Sequence, residues 1–285
     1  MSSTPTREEP VLSMPMSFNQ QIIDEFRANK GLVSGPFEGA RLLLLTTVGA
    51  RTGAPHTTPL GCLPDGDRSL VIASAGGAPR HPAWYHNLLA NPQVTVEDGA
   101  FTYQAEAVVL EGEERERLFA RAVEADPGWG AYQERSGRVL PVVALLPIDA
   151  GPPSGSLADA LITVHDAFRR ELALIRAETA RSGPRVGAQL RVNCLTLCQG
   201  LDVHHSREDS FMFPALEHQY PELAPAMERL RAEHEVIARL LGELKTLLDR
   251  TDVAPSELLA EVGRLTGELE AHLDYEEKQL VPLLT

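Results

Sequence analysis

The chain has 285 residues, 43% hydrophobic and 23% charged, the balance of a soluble globular protein, with no need to invoke disorder. Its formal charge of −14 is shared, with 12 basic and 18 acidic groups in residues 1–150 and 14 against 22 in the rest, which argues against nucleic acid or anionic lipid as a main partner. Cys62, Cys194 and Cys198 are too few for a disulfide framework, the first 30 residues carry no basic-then-apolar signal pattern, and no stretch approaches the roughly 20 apolar residues of a spanning helix, so a reducing, cytoplasmic location is expected.

In chain order, a helix is expected over residues 18–29. Its Phe18-Ile22-Phe26 stripe reads first as packing onto the domain and second as a peripheral membrane contact. Runs rich in Val, Leu, Ile and Thr predict strands at residues 41–48, 57–63, 68–74, 93–97, 101–110 and 139–146, with helices at 81–90 and 112–125. Gly49, Pro64-Asp65-Gly66, Gly76-Gly77 and Asp98-Gly99 supply turns, the last as a tight hairpin. Short strands with few helices between them predict a small, mostly antiparallel barrel. The Pro/Gly-rich run 149–156 is the boundary, separating a domain at 1–148 from a second at 157–285.

Beyond it the pattern is helical. Ser156 with Asp159 predicts a capping box opening a helix to about residue 182, stopped by Gly183-Pro184. A second runs to about Glu208, a third from near Pro221 to Asp249, and a fourth from Pro255 to Val281-Pro282. Short connections make these antiparallel neighbours in an up-down bundle.

Two copies of His-x-x-x-Glu stand in this half: His204 with Glu208, and His272 with Glu276. Residues four apart share a helix face, so each pair aims an imidazole and a carboxylate at one spot. Leu197, Leu201, His204 and Glu208 form one stripe, and Leu265, Leu269, His272 and Glu276 repeat its spacing. His165 and His234 sit on the two remaining helices. Titratable groups on a leucine stripe are costly to bury unpaired, and a metal removes that cost. The six candidate ligands are therefore His165, His204, Glu208, His234, His272 and Glu276, a donor set that suits iron or manganese. The plainer reading is that these groups simply pair with one another. His205 lies about 100° off the stripe and reads as an outer neighbour or a surface residue. Cys194 and Cys198 read as small apolar packing, or as a thiol pair reporting oxidation.

The first domain carries a Gly-rich turn, Ser74-Ala75-Gly76-Gly77-Ala78-Pro79-Arg80, then a helix. Backbone N–H groups of such a turn, the helix N-terminus, Arg80 and Arg51 suit a phosphate, although most Gly-rich turns are only turns.

Residues 18–26, Leu42 to Thr47, Arg51-Thr52-Gly53, Thr57-Thr58-Pro59-Leu60, Val71-Ile72-Ala73-Ser74-x-Gly76-Gly77, His81-Pro82-Ala83-Trp84-Tyr85-x-Asn87-Leu88, Asn91-Pro92 and Pro141-Val142-Val143 occur in order. Together they resemble the deazaflavin-dependent nitroreductase family, also described as coenzyme F-420-dependent quinone reductases, across residues 17–147. The resemblance implies a split, FMN-binding-like β-barrel holding coenzyme F-420. Ser74, Gly76, Gly77 and Arg80 would lie near the deazaflavin and its phosphate, Arg51 at the anionic tail, and Trp84 at the ring pocket wall. Tyr132 matches an aromatic position near the substrate, and Tyr132 or Ser74 would donate to the acceptor's developing oxyanion. Trp129 and Tyr103 read as packing. The implied acceptor is a quinone or nitro compound.

From residue 157 onward, Val164-His165-Asp166, His204-His205-x-x-Glu208 with Phe213-Pro214, Glu233-His234-Glu235, and His272-x-x-x-Glu276 with Pro282 resemble the hemerythrin-like, or HHE, cation-binding domain. Oxygen-carrying hemerythrins place a second histidine where this chain has Ala238, so the likeness is to a four-His, two-Glu subgroup. It implies a non-haem di-iron centre meeting dioxygen, nitric oxide or peroxide. The expected fold class is thus α+β with two domains, a split β-barrel followed by an antiparallel four-helix bundle, and the expected activity is hydride transfer from reduced coenzyme F-420. The alternatives are a non-catalytic di-iron sensor whose barrel only holds cofactor, and an FMN-dependent NAD(P)H reductase. The sequence leaves the oligomeric state open.

Overall fold

The computed structural model describes residues 18–149, 156–182 and 185–284; most of the Pro/Gly boundary and the Gly183-Pro184 stop lie outside the described residues. The first domain runs α1 (Phe18–Ala28), β1 (Leu42–Val48), β2 (Pro55–Asp65), β3 (Arg68–Ile72), α2 (Ala83–Ala90), β4 (Gln93–Glu97), β5 (Thr102–Val109), α3 (Gly112–Ala125), α4 (Gly128–Ser136) and β6 (Val142–Asp149). The strands close into an antiparallel barrel in the order β1-β2-β3-β6-β5-β4. Strand alternation explains the unbroken leucine run of β1. Leu43 and Leu45 face the barrel interior with Val71, Val94 and Val143, while Leu44 faces outward under Ile23 and Phe26 of α1. The α1 stripe is thereby spent on packing: Ile22 and Phe26 are buried, and Phe18 stays exposed.

Two local features differ from the sequence expectation. The Asp98-Gly99 hairpin is a longer loop between Glu97 and Thr102, because Asp98 Oδ1 accepts from the Ala100 and Phe101 N–H groups at 3.0 and 2.8 Å. Helix α4 was not expected, and it delays β6 to Val142; Gly137, at φ 63°, ends α4 in the left-handed conformation that favours glycine.

The second domain comprises α5 (Leu157–Arg181), α6 (Ala188–Arg207), a π turn at Glu208–Met212, α7 (Phe213–Gln219), α8 (Ala224–Asp249) and α9 (Pro255–Leu280). The Ser156–Asp159 capping box is present at the start of α5. Leu172, Ile175, Leu190, Leu197, Leu201, Leu241, Leu265 and Leu269 form its core, and Cys194 and Cys198 pack among them fully buried. The second expected helix continues through the π turn, which inserts one residue into the register and brings Phe213 inward five positions after Glu208; both are buried.

The domains dock through polar contacts. Arg41, just before β1, reaches across to α5, with Nη1 2.6 Å from Glu171 and Nε 2.6 Å from Glu178. Burial opposes its charge, and the two carboxylates more than offset that, raising the guanidinium above its ordinary range. Gln189 of α6 donates to the Pro64 carbonyl of β2 at 2.8 Å. Gly31 and Gly99 meet behind this seam, where a Cβ on Gly31 would lie 2.8 Å from Gly99 Cα.

Candidate functional site

The bundle brings the six expected ligands together. Helix α5 contributes His165, α6 His204, the π turn Glu208, α8 His234, and α9 His272 and Glu276. Their donor atoms fall into two groups, His165-His204-Glu208-Glu276 and His205-His234-His272, with the atoms of each group within 4.8 Å of one another. The carboxylates lie between the groups. Glu208 sits 3.1 Å from His204 Nε2 and 3.5 Å from His234 Nε2, while Glu276 sits 3.4 Å from His165 Nε2 and 3.7 Å from His272 Nε2.

The outer nitrogens are held by acids. His165 Nδ1 is 2.8 Å from Glu277, His234 Nδ1 3.0 Å from Asp209, and His272 Nδ1 3.0 Å from Glu233. A carboxylate on Nδ1 fixes the tautomer with its proton there, which leaves Nε2 a bare lone pair facing inward. Arg169 backs Glu277 at 2.8 Å and Arg229 backs Glu233 at 2.7 Å.

Burial sets the protonation states. It pushes His204 down to about 3, and it lowers His205 and His272 as well. These imidazoles are neutral at physiological pH, the ligating form. Burial and the Glu276 charge push Glu208 up; at Glu276 burial acts the same way, but the nearby imidazoles of His165, His272 and His204 hold it down. Among the described residues, His165 Nε2, His204 Nε2, His205 Nε2 and all four oxygens of Glu208 and Glu276 are buried without a hydrogen-bond partner. Orphans at this density are costly, and imidazole with carboxylate fits a pair of transition-metal ions. The plainer reading, mutual pairing, leaves these atoms unsatisfied.

His205 is not at the surface. It is 6% exposed, its ring stacked on His234 with centroids 4.2 Å apart. Spacing alone did not mark it, because the inner face of a bundle helix is wider than the single line that His204 and Glu208 share.

In the barrel, Ala75, Gly76 and Gly77 have φ of 49°, 59° and 79°, a left-handed run in which the Gly77 and Ala78 N–H groups donate to the Ser74 and Ala75 carbonyls at 2.9 and 3.1 Å. Arg138, which the sequence did not single out, holds this turn from inside. Its guanidinium donates to the carbonyls of Ala73 at 2.9 Å, Ser74 at 3.1 Å and Ala78 at 3.2 Å, and to His81 Nδ1 at 2.9 Å. Arg135 of α4 donates to the Gly76 carbonyl and lies 5.0 Å over the Tyr132 ring, so Tyr132 and the turn are neighbours. Arg80 is exposed in the turn. Arg51 is exposed in the β1–β2 turn, whose Ala50 N–H donates to Asn87 of α2 at 3.0 Å. Neither arginine has an ion pair among the described residues. Ser74 is half-buried, Trp84 is buried in the barrel core, and Trp129 packs edge-on to Tyr132.

The family model described as F420H(2)-dependent quinone reductase matches residues 19–147, and that described as hemerythrin HHE cation binding domain matches residues 156–284. An F420H(2)-dependent quinone reductase of Mycobacterium tuberculosis is 40% identical over 124 residues, 42% of this chain and 83% of that relative. The chain belongs to this reductase family, with a hemerythrin HHE domain joined behind the barrel. A solved structure described as an F420-H2 dependent reductase is 40% identical, covering 37% of the chain and 93% of its own, with a TM-score of 0.35. Both likenesses concern the reductase barrel alone. Among the described residues, no helix is long and apolar enough to cross a membrane.

Proposed function

We propose that the barrel transfers hydride from reduced coenzyme F-420 to a quinone or nitro acceptor, while the bundle holds two iron ions that meet dioxygen, nitric oxide or peroxide. The chain is an oxidoreductase of the coenzyme F-420-dependent kind. The observation that carries it is the pairing, in one chain, of an arginine-stapled Gly-rich turn with a buried nest of unpartnered imidazole and carboxylate atoms.

The deazaflavin, when bound, supplies the hydride, so the barrel has to bind, orient and exclude water. The Gly76 N–H, with Arg80, would receive the phosphate, Gly77 would shape the turn, its own N–H donating to the Ser74 carbonyl at 2.9 Å, and Arg51 would meet the anionic tail. Trp84, carried by α2 into the barrel core, would back the ring. Tyr132, beside the turn through Arg135, or the Ser74 hydroxyl would donate a hydrogen bond to the acceptor oxygen as it gains charge. In the bundle, His165, His204, His234 and His272 with Glu208 and Glu276 would hold the metal, and Glu277, Asp209 and Glu233 fix the imidazole tautomers.

The test is anaerobic turnover of iron-loaded protein with reduced coenzyme F-420 and menadione, beside an NADPH control. Menadione-dependent oxidation of the deazaflavin alone supports the reductase reading. Silence with both donors overturns it in favour of an iron-based sensor, and a yellow protein active with NADPH overturns it in favour of flavin.

A further inference from the structure

We infer that His205 is a seventh metal ligand, making the centre asymmetric: three imidazoles, from His205, His234 and His272, at one position and two, from His165 and His204, at the other. The inference rests on the metal-binding reading of the bundle and adds a ligand that the His-x-x-x-Glu spacing does not predict. Four observations carry it. The His205 Nε2 atom is buried without a partner, as are His165 and His204 Nε2. A ring nitrogen of His205 lies within 4.8 Å of donor nitrogens on both His234 and His272. His234 and His272 already point their Nε2 atoms at each other, 3.2 Å apart, so that with their protons drawn to the outer carboxylates both lone pairs converge on one spot beside His205. Finally, α8 offers no second imidazole: Ala238, one turn beyond His234, is exposed.

Helix geometry makes this arrangement available. Adjacent residues differ by about 100° around the axis, close to the quadrant that each helix of a four-helix bundle turns inward. His204 takes the α5 side of that quadrant, its ring centroid 5.3 Å from His165 and 5.3 Å from Phe168. His205 takes the α8 side, 4.2 Å from His234 and 5.3 Å from His272. One helix thus feeds both positions, with Glu208 one turn on placed between them.

The test compares wild type with His205→Phe, His205→Ala and, as a surface control, His218→Ala, at an exposed position near the end of α7. The phenylalanine keeps a ring stacked on His234 and removes only the donor nitrogen. Metal-free chains are loaded anaerobically with ferrous iron, and iron per chain is measured with the Mössbauer spectrum. The expected result is that H205F stays folded by circular dichroism while its iron content falls to roughly half of wild type. Its affinity loss should exceed the ~10–100-fold typical of losing an outer partner. H218A should match wild type. Full iron content with an unchanged spectrum in H205F and H205A would make His205 a packing neighbour and overturn the inference. If wild type itself takes up no iron, the metal reading fails together with this inference, a result distinct from loss in the variants alone.

Discussion

His234 and His272 face each other with Nε2 atoms 3.2 Å apart, while their far nitrogens are each 3.0 Å from a carboxylate, Asp209 and Glu233. Without a metal one Nε2–H donates to the other; with both protons drawn outward to the carboxylates, the pair offers two lone pairs to a cation. Asp209→Asn and Glu233→Gln should therefore leave the donor atoms present while loosening their orientation and basicity. Iron affinity should fall about 10–100-fold in each, measured by competition with a chelator of known strength. Unchanged affinity in both would mean that the outer acids serve only surface ion pairing.

The inner residues should behave more severely. His204→Ala or Glu276→Gln removes a donor next to a carboxylate that faces both groups, and iron loading should be lost while coenzyme F-420 binding, in the separate barrel, is retained. Iron content per chain and cofactor titration by fluorescence check the two halves independently. Undiminished iron in either variant would sink the ligand assignment.

Much of this centre was legible because helical periodicity constrains it. Leu197, Leu201, His204 and Glu208 share a face by spacing alone, and the structure packs that stripe into the core. His205 was not legible, because a single stripe understates the width of an inward quadrant, and the side chain's fate depends on where α8 packs. The barrel divided in the same way. Alternation and turn residues identified the strands, yet α4 was invisible, being short and carrying Gly128 and Gly130. Arg138 escaped because a guanidinium that satisfies backbone carbonyls leaves no sequence pattern.

Arg138 yields a prediction for the barrel. It joins the carbonyls of Ala73, Ser74 and Ala78. Arg138→Gln cannot reach them all, and each lost charge-assisted bond costs about 1.5–3 kcal/mol in isolation, with less than additive effect. Coenzyme F-420 affinity should fall about tenfold or more with the far-UV circular dichroism intact. Equal affinity would show that the Gly-rich turn holds its shape without the staple.

The seam between domains offers another. Arg41 is 9% exposed at its side chain, and Glu171 and Glu178 are 23% and 21% exposed. Arg41→Met strands two carboxylates in a half-buried seam. Removing one partner of a fully buried pair costs about 3–5 kcal/mol, and the remaining water contact here discounts that to roughly 2–3 kcal/mol. Adding Glu171→Gln and Glu178→Gln to Arg41→Met should recover part of the loss. Urea denaturation of the three proteins checks this, and no recovery would mean that the aliphatic stem of Arg41, not its charge, secures the seam.

The last prediction concerns pH. Cys194 and Cys198 are fully buried, and burial pushes both thiols up, Cys198 to about 11 from an ordinary 9. Between those values the unfolded chain has released the Cys198 proton and the folded chain still holds it. The unfolded state binds fewer protons there, so stability falls as pH rises, by about 1.4 kcal/mol per pH unit for each such thiol. Below pH 9 both states keep the proton, and the thiols contribute no slope. Cys198→Ala should flatten the decline between pH 9 and 11 relative to wild type while costing some stability at every pH through lost packing. Identical slopes for the two proteins in thermal melts across that window would mean that Cys198 ionises as freely in the fold as in the unfolded chain.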